Sequence, residues 1–150
     1  MSSSPTTIAY PKWLRPVNAV NRFLLRKGIS VGPPVLLSVP GRRSGRLQST
    51  PVSPVEVAGH RYLVAGFAGS DWVKNARAAG WGRLGRGSNP DRVRLIEVPV
   101  AERPPILKEF VTSVRGGRSF IDVPPAAPLS DFAAVADRFP VFRVEPDHDA

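Results

Sequence analysis

The sequence predicts an α+β domain that is mainly antiparallel β-sheet, arranged like a barrel with short helices around it. Short apolar runs of strand length recur along the chain, and residues typical of turns (Gly, Pro, Asn and Ser) separate them. Segments with helical spacing are few and short. They do not alternate regularly with the strands, as the helices of a parallel βαβ array would.

The length of 150 residues is typical of one domain and is sufficient for a hydrophobic core. We expect a loose N-terminal segment at 1–12, a single domain at 13–146 and a tail at 147–150. No apolar run reaches the ~20 residues that span a bilayer, and the N-terminus lacks the apolar stretch of a signal peptide. Since the chain also has no cysteine, we expect it in the cytoplasm.

The first predicted element is an amphipathic helix at 16–27, which Pro16 can begin and Gly28 can end. Its apolar residues lie on one face and its arginines on the opposite face. Two interpretations are open: the helix covers one end of the barrel, or it lies on the inner surface of an anionic membrane.

Three strands are predicted next, at 34–39, 47–57 and 61–66. Tight turns join them, which predicts an antiparallel meander. Pro51 and Pro54 cannot donate a ladder hydrogen bond, so the second strand should lie at a sheet edge or contain a bulge.

The rest of the chain predicts helices at 72–80, 105–115 and 129–138, and strands at 81–86, 92–101 and 140–145. Ser70 and Asp71 are typical residues for the start of the first of these helices, and Gly80 is typical of its end. The total is five or six strands with three or four short helices.

The charge of the chain is uneven along its length. Residues 1–94 carry fifteen Lys and Arg against three acidic residues, a balance of +12, whereas residues 95–150 carry six against nine. One part of the molecule is therefore suited to a negatively charged partner. A nucleic acid, an anionic membrane surface and a phosphorylated cofactor all fit this requirement.

The turn at 40–46, Pro-Gly-Arg-Arg-Ser-Gly-Arg, is a candidate anion-binding site. Gly41 and Gly45 allow positive φ at its two ends. Arg42 and Arg43 place two guanidinium groups at a strand end, where they can contact a phosphate or carboxylate, and the Ser44 hydroxyl and backbone N–H groups add donors. The alternative is a solvated hairpin turn that is merely basic.

The segment 65–75 is a second candidate, because small residues after a strand allow a ligand to approach the backbone closely. The helix that begins at Asp71 directs its N-terminal N–H groups toward the same space. Trp72 and Asn75 could offer an aromatic wall and an amide to a planar heterocycle. The alternative is a helix start with Trp72 in the core.

Other common sites are not predicted. His60 and His148 have no partner at metal-ligand spacing, and no Ser–His–Asp set is recognisable. No phosphate loop or dinucleotide fingerprint follows a strand and opens a helix. We therefore expect no metal, and the residues by themselves indicate no catalytic group.

Four segments occur in a characteristic order: VLLSVPGRRSGRLQSTPVSPV, RYLVAG, SDWVKNARAAGWGRLGRG and PVFRVEP. Their more specific parts are the Gly-Arg-Arg-Ser-Gly turn, Thr50-Pro51, and Trp72-x-x-Asn75 followed by Ala-Ala-Gly. Together they resemble the deazaflavin-dependent nitroreductase family of actinobacteria, over roughly residues 15–145.

The resemblance implies a split β-barrel of the flavin-mononucleotide-binding type, with an N-terminal helix, that binds coenzyme F-420 (an 8-hydroxy-5-deazaflavin). In that family the reduced cofactor passes a hydride to a small-molecule acceptor such as a quinone, an enone or a nitro compound. Carried over by position, Arg42, Arg43 and Ser44 would hold the phosphate, and Ser49, Thr50, Pro51 and Val52 would line the ring. Ala65, Gly66 and Phe67 would approach the tail or ring edge, and Asp71, Trp72, Lys74 and Asn75 would close the site.

The chain departs from the family's best-known pattern because only Tyr10 and Tyr62 are present, and the activating nitroreductases line their substrate pocket with tyrosines. This resembles a divergent subgroup. Two other interpretations stay open: a split barrel that binds another cofactor (flavin mononucleotide or haem) or stores one without turnover, and a basic nucleic-acid-binding module. We expect no nucleic-acid partner, because the basic residues are not interleaved with aromatic residues in a recognisable motif.

Overall fold

The computed structural model describes residues 35–114 and 116–147, which form two compact units. Within the described residues, unit 1 contains 35–52, 69–94 and 146–147, and unit 2 contains 53–68 and 95–145. The predicted helix at 16–27 and the segment at 1–12 lie outside the described residues. The single domain expected at 13–146 stays a prediction.

The described residues form seven strands and three α-helices. The strands are β1 (Leu36–Pro40), β2 (Leu47–Pro51), β3 (Val55–Val57), β4 (His60–Val64), β5 (Trp81–Gly85), β6 (Asp91–Glu97) and β7 (Val141–Pro146). The helices are α1 (Asp71–Ala79), α2 (Pro104–Ser113) and α3 (Leu129–Val135). Three short 3-10 turns lie at Val100–Glu102, Gly117–Ser119 and Ala136–Arg138.

Unit 1 contains a sheet in the order β2-β1-β5-β6, to which β6 contributes its first four residues. The pairings of β1 with β2, β1 with β5 and β5 with β6 are all antiparallel. Leu37 lies opposite both Thr50 and Leu84, so these three side chains share one face of the sheet. Leu37 and Leu84 are buried there, as are Val73 and Ala76 of α1.

Unit 2 contains the last residues of β6 and the strands β7, β4 and β3, in that order. Strand β4 pairs antiparallel with both β3 and β7, with Leu63 opposite Phe142. Helices α2 and α3 supply much of the core, in which Leu107, Ile121 and Phe132 are fully buried. None of the helices among the described residues has the length and apolar composition needed to cross a membrane.

Arg103 is a buried polar residue of unit 2, with 5% of its surface exposed. Its Nε donates to the Val98 carbonyl at 2.9 Å, and its Nη1 donates to the Ala136 carbonyl at 3.0 Å. Its Nη2 donates to the Glu97 carboxylate at 3.2 Å. Because a buried charge is tolerated only when it is paired and hydrogen-bonded, this set of acceptors explains the position of Arg103. Nothing in the sequence around Arg103 indicated this role.

Most predicted elements are confirmed, and the mainly antiparallel α+β class is confirmed with them. Helix α1 ends as predicted, since Gly80 has the left-handed conformation (φ 76°) and its N–H donates to the Ala76 carbonyl. Ser70 stands at the start of α1, but its side chain makes no capping hydrogen bond. The strand predicted at 92–101 stops at Glu97, shortly before Pro99, which has no N–H to donate.

The predicted meander is wrong. The segment at 47–57 is two strands, of which β2 pairs with β1 and β3 pairs with β4. They do not pair with each other, and each stands at an end of the strand order. Pro51 and Pro54 lie at the break, where the missing N–H groups prevent the ladder from continuing. This division also explains why the described part of the chain contains seven strands and not the five or six that were predicted.

Candidate functional site

The turn at 41–46, called the basic turn from here on, is closed by its own hydrogen bonds. The Gly41 N–H donates to the Arg46 carbonyl and the Gly45 N–H donates to the Gly41 carbonyl, both at 2.8 Å. Gly45 has a φ of +75°, as predicted, and this conformation favours glycine. The Arg46 N–H donates to the Ser44 hydroxyl oxygen at 3.2 Å. The backbone of the turn is therefore held in one shape.

Gly41 does not have the positive φ that was expected at this end of the turn. A Cβ at this position would lie 2.7 Å from the Gln48 side-chain nitrogen and 2.9 Å from the Ser44 hydroxyl oxygen. Both distances are shorter than van der Waals contact. Because both atoms are the ends of exposed side chains, which can move, a Cβ at position 41 requires only that these two side chains shift.

Arg42 fastens the basic turn to helix α1. The Asn75 side-chain oxygen accepts two hydrogen bonds from Arg42, one from the backbone N–H at 3.0 Å and one from Nη1 at 2.7 Å. Asn75 is only 2% exposed, so its oxygen needs partners within the protein. A single buried amide thus fixes both the backbone and the side chain of Arg42.

Asp71 adds a weaker contact from the same face of α1. Its carboxylate oxygen lies 3.5 Å from the Arg42 Nη2, and the two side chains are 36% and 28% exposed. An ion pair of this length and exposure contributes little stability by itself. Asp71 and Asn75 are four residues apart, which places both on the helix face that meets Arg42. The structure therefore brings three predicted site residues together: Arg42, Asp71 and Asn75.

Several hydrogen-bond donors of the basic turn lie next to the contact between Arg42 and Asn75. Within the described part of the chain, the Arg43 side chain has no hydrogen bond or ion pair, and it is exposed. The backbone N–H groups of Arg43 and Ser44 also have no partner there. The Ser44 oxygen accepts one bond, but its proton can still be donated. Backbone N–H groups, a hydroxyl and a guanidinium in one tight turn form a donor set suited to an anion.

The four predicted site residues at 49–52 do not share one face. Ser49 lies opposite Ser38 and Thr50 lies opposite Leu37, so successive side chains of β2 point to opposite faces of the sheet. Ser38 was not among the predicted site residues, and only the strand register shows that it lies beside Ser49. Among the described strands β2 is an edge strand, so part of its backbone faces away from the sheet. The Val52 N–H donates to the Val35 carbonyl at 3.0 Å.

Ala65, Gly66 and Phe67 belong to unit 2, where packing accounts for two of them. Ala65 is 1% exposed and its N–H donates to the Pro140 carbonyl at 2.9 Å. A Cβ at Gly66 would lie 2.6 Å from the Phe120 ring, so only glycine fits there. Their predicted part in a cofactor site stays a prediction.

Trp72 and Lys74, the remaining predicted residues, lie on α1 with different exposure. Trp72 is half-buried, and Lys74 is exposed with no hydrogen bond or ion pair among the described residues. The contact of Trp72 with a ligand stays a prediction, as does the alternative that Trp72 belongs to the core. In residues 35–114 and 116–147, no three His, Asp or Glu side chains are grouped so that they could hold a metal ion.

Similarity to known proteins is found at the level of three-dimensional structure. No protein-family model matches the chain, and no curated protein does. A protein solved as a domain-swapped dimer superposes with a TM-score of 0.54 and 21% identity, over 86% of this chain and 96% of its own. A protein described as an F-420-H₂ dependent reductase (FDR-A) gives a TM-score of 0.50 and 23% identity, over 75% and 94%.

At these identities the similarity concerns the fold. It agrees with the mainly antiparallel sheet and three helices of the described residues. The chain therefore has the split-barrel α+β fold of these neighbours, and its resemblance to the deazaflavin-dependent nitroreductases is confirmed at the level of the fold.

Proposed function

We propose that this protein is an oxidoreductase that binds coenzyme F-420 and uses its reduced form to reduce a small organic acceptor. The main support is the basic turn, in which Arg42 is fixed by Asn75 while the Arg43 side chain makes no hydrogen bond or ion pair with the rest of the described residues. The fold shared with FDR-A, itself described as an F-420-H₂ dependent reductase, agrees with this function. So does the balance of +12 in residues 1–94, because the phosphate and tail of coenzyme F-420 are anionic.

The two arginines of the basic turn have different tasks in this proposal. Arg42 is a positioning residue, whose Nη1 and Nη2 donate to Asn75 and Asp71 of α1. Arg43, the Ser44 hydroxyl and the adjacent backbone N–H groups contact the phosphate. Lys74, exposed on α1, supplies a further positive charge. The donor set fits a phosphate group.

The ring is assigned to the edge strand β2 of unit 1. Since Ser49 and Thr50 face opposite sides, the side chains of 49–52 cannot all line one face of a ring, and backbone groups of the edge strand complete the contact. Trp72, also in unit 1, supplies an aromatic wall. The Asn75 side-chain oxygen acts through Arg42, because it already accepts two hydrogen bonds from that residue.

When bound, the reduced cofactor supplies a hydride to an activated double bond, a quinone or a nitro group. The residues of this chain bind and orient the two reactants, which lowers the barrier because the entropy of bringing them together is lost on binding. No side chain is assigned as a proton donor. The acceptor class proposed here is a quinone, an enone or a nitro compound.

Fluorescence titration of the purified protein with oxidised coenzyme F-420, with flavin mononucleotide as the control, tests cofactor choice. We expect preferential binding of the deazaflavin at one molecule per chain. Equal or tighter binding of flavin mononucleotide would identify a flavin-binding split barrel instead. Binding without oxidation of the reduced cofactor by quinone, enone or nitro acceptors would indicate a storage protein.

Separate substitutions of the two arginines test the division of tasks. Arg43→Ala should lower cofactor affinity about tenfold or more, the value of one charge-assisted contact, and leave stability within about 0.5 kcal/mol. Arg42→Ala should lower both affinity and stability. Arg61→Ala, which removes an exposed arginine of unit 2, is the matched control for charge. Unchanged affinity in Arg43→Ala would refute the phosphate assignment.

A further inference from the structure

A second group of polar side chains crosses unit 1 on the sheet face opposite Leu37 and its buried partners. Ser38 is the cross-strand partner of both Ser49 and Arg83, and Arg83 is the partner of Arg92. Direct partners in antiparallel strands share a face, with Cβ atoms about 4.5–5.5 Å apart. These four residues therefore form one continuous line across β2, β1, β5 and β6, called here the Ser-Arg row.

The serine end of the Ser-Arg row has one hydroxyl proton that is not used within the Ser38–Ser49 pair. The hydroxyl oxygens of Ser38 and Ser49 lie 2.6 Å apart, so one hydroxyl donates its proton to the other. The accepting hydroxyl keeps its own proton, which is free to be donated to a third group. When Ser49 donates and Ser38 accepts, the free O–H lies on Ser38, the cross-strand partner of Arg83.

The two arginines of the row differ in how their charge is compensated. The Arg92 Nε donates to the Asp147 carboxylate at 2.9 Å, and its guanidinium lies 3.8 Å from the centre of the Trp81 ring. Arg83 is half-buried, yet its side chain has no hydrogen bond or ion pair within the described residues. Asp91, the nearest acid along β6, is the partner of Leu84 and faces the opposite side.

Arg83 and Arg92 carry like charges directly opposite each other, an arrangement that destabilises a sheet. Of these two charges, Asp147 compensates only that of Arg92. An oxyanion beside Arg83 would compensate the second charge, accept two parallel bonds from the guanidinium and accept the serine proton. We propose that the Ser-Arg row is a second anion-binding site, which takes a phosphate or carboxylate group and is separate from the basic turn. This inference does not rest on the oxidoreductase function.

Thermal unfolding in phosphate, acetate and chloride buffers of equal ionic strength tests the site without any cofactor. The parent and all variants carry Arg43→Gln, so that the basic turn contributes less to anion binding. At saturating anion we expect the parent midpoint to rise by about 2 °C or more in phosphate or acetate relative to chloride. The larger of the two rises distinguishes a phosphate from a carboxylate ligand.

Arg83→Gln should lower the affinity for the effective anion about tenfold or more, as loss of a bidentate charged contact does. In chloride its midpoint should equal or exceed that of the parent, because the repulsion from Arg92 is relieved. A merely structural Arg83 predicts a lower midpoint in every buffer. Arg61→Gln, at an exposed arginine of unit 2, is the charge control and should keep the full anion effect.

A second variant, Ser38→Ala with Ser49→Ala, keeps Arg83 and removes the serine donor. It should reduce the anion effect without abolishing it, and it tests the site even if Arg83→Gln fails to fold. The proposal is overturned if the parent midpoint does not respond to phosphate or acetate. It is equally overturned if Arg83→Gln responds as strongly as the parent.

Discussion

Replacement of Asn75 by leucine tests whether one buried amide holds the basic turn in place. The substitution removes the acceptor of two hydrogen bonds, from the Arg42 backbone N–H at 3.0 Å and from Nη1 at 2.7 Å. A neutral hydrogen bond contributes about 1 kcal/mol and a charged one about 1.5–3 kcal/mol. The Arg42 side chain is 28% exposed, so water can replace part of the charged bond and its share falls to about 1 kcal/mol. We therefore expect Asn75→Leu to lose about 2 kcal/mol of unfolding free energy.

Urea unfolding followed by circular dichroism measures this loss. For a urea m-value of about 2 kcal/mol per molar, the midpoint should fall by about 1 M. Cofactor affinity should fall as well, because the loosened turn no longer presents Arg43 in a fixed position. Asn89→Leu makes the same change at an exposed turn residue and should stay within about 0.5 kcal/mol of the unsubstituted protein.

Asn75→Asp separates the two effects of Asn75. It keeps an acceptor oxygen for Arg42, so most of the stability should be retained, but its negative charge should still weaken binding of an anionic cofactor. A wild-type urea midpoint in Asn75→Leu would refute the reasoning, since Arg42 would then hold the turn without its amide partner.

Three further outcomes are expected. Arg103→Met should lower the free energy of unfolding in urea by about 3–5 kcal/mol, because it leaves buried carbonyls and Glu97 unpaired. The control Arg118→Met, at an exposed arginine, should cost little. Equal urea midpoints of the two variants would contradict a stabilising role of Arg103. Trp72→Leu should weaken cofactor binding about tenfold at nearly unchanged melting temperature, whereas a large fall in melting temperature with normal binding would place Trp72 in the core. Cofactor affinity should depend only moderately on salt; a loss of about 10³-fold in duplex DNA affinity between roughly 50 and 200 mM salt, without cofactor binding, would indicate a nucleic-acid-binding protein.

Local sequence features were sufficient for most of the secondary structure. Helix α1 follows from its residues because Gly80 takes the left-handed conformation that ends a helix, and Gly45 likewise closes the basic turn with a positive φ. The break near Pro51 and Pro54 was also visible, since proline lacks the N–H that a ladder needs. The sequence did not indicate that the two strands on either side of the break pair with different strands, because the partner of a strand depends on residues distant in sequence.

The sequence by itself determined the class of fold, most of the strand positions and the basic character of the turn at 41–46. Tertiary structure decided what each polar side chain does. Arg42 and Asn75 are 33 residues apart, and only the packing of α1 in unit 1 brings the amide oxygen to the guanidinium. Arg83 and Ser38 meet through strand register, and Arg103 is stabilised by carbonyls from elsewhere in unit 2. Contacts of this kind leave no local pattern in the sequence, because hydrogen bonds form between groups that are close in space, whatever their separation along the chain.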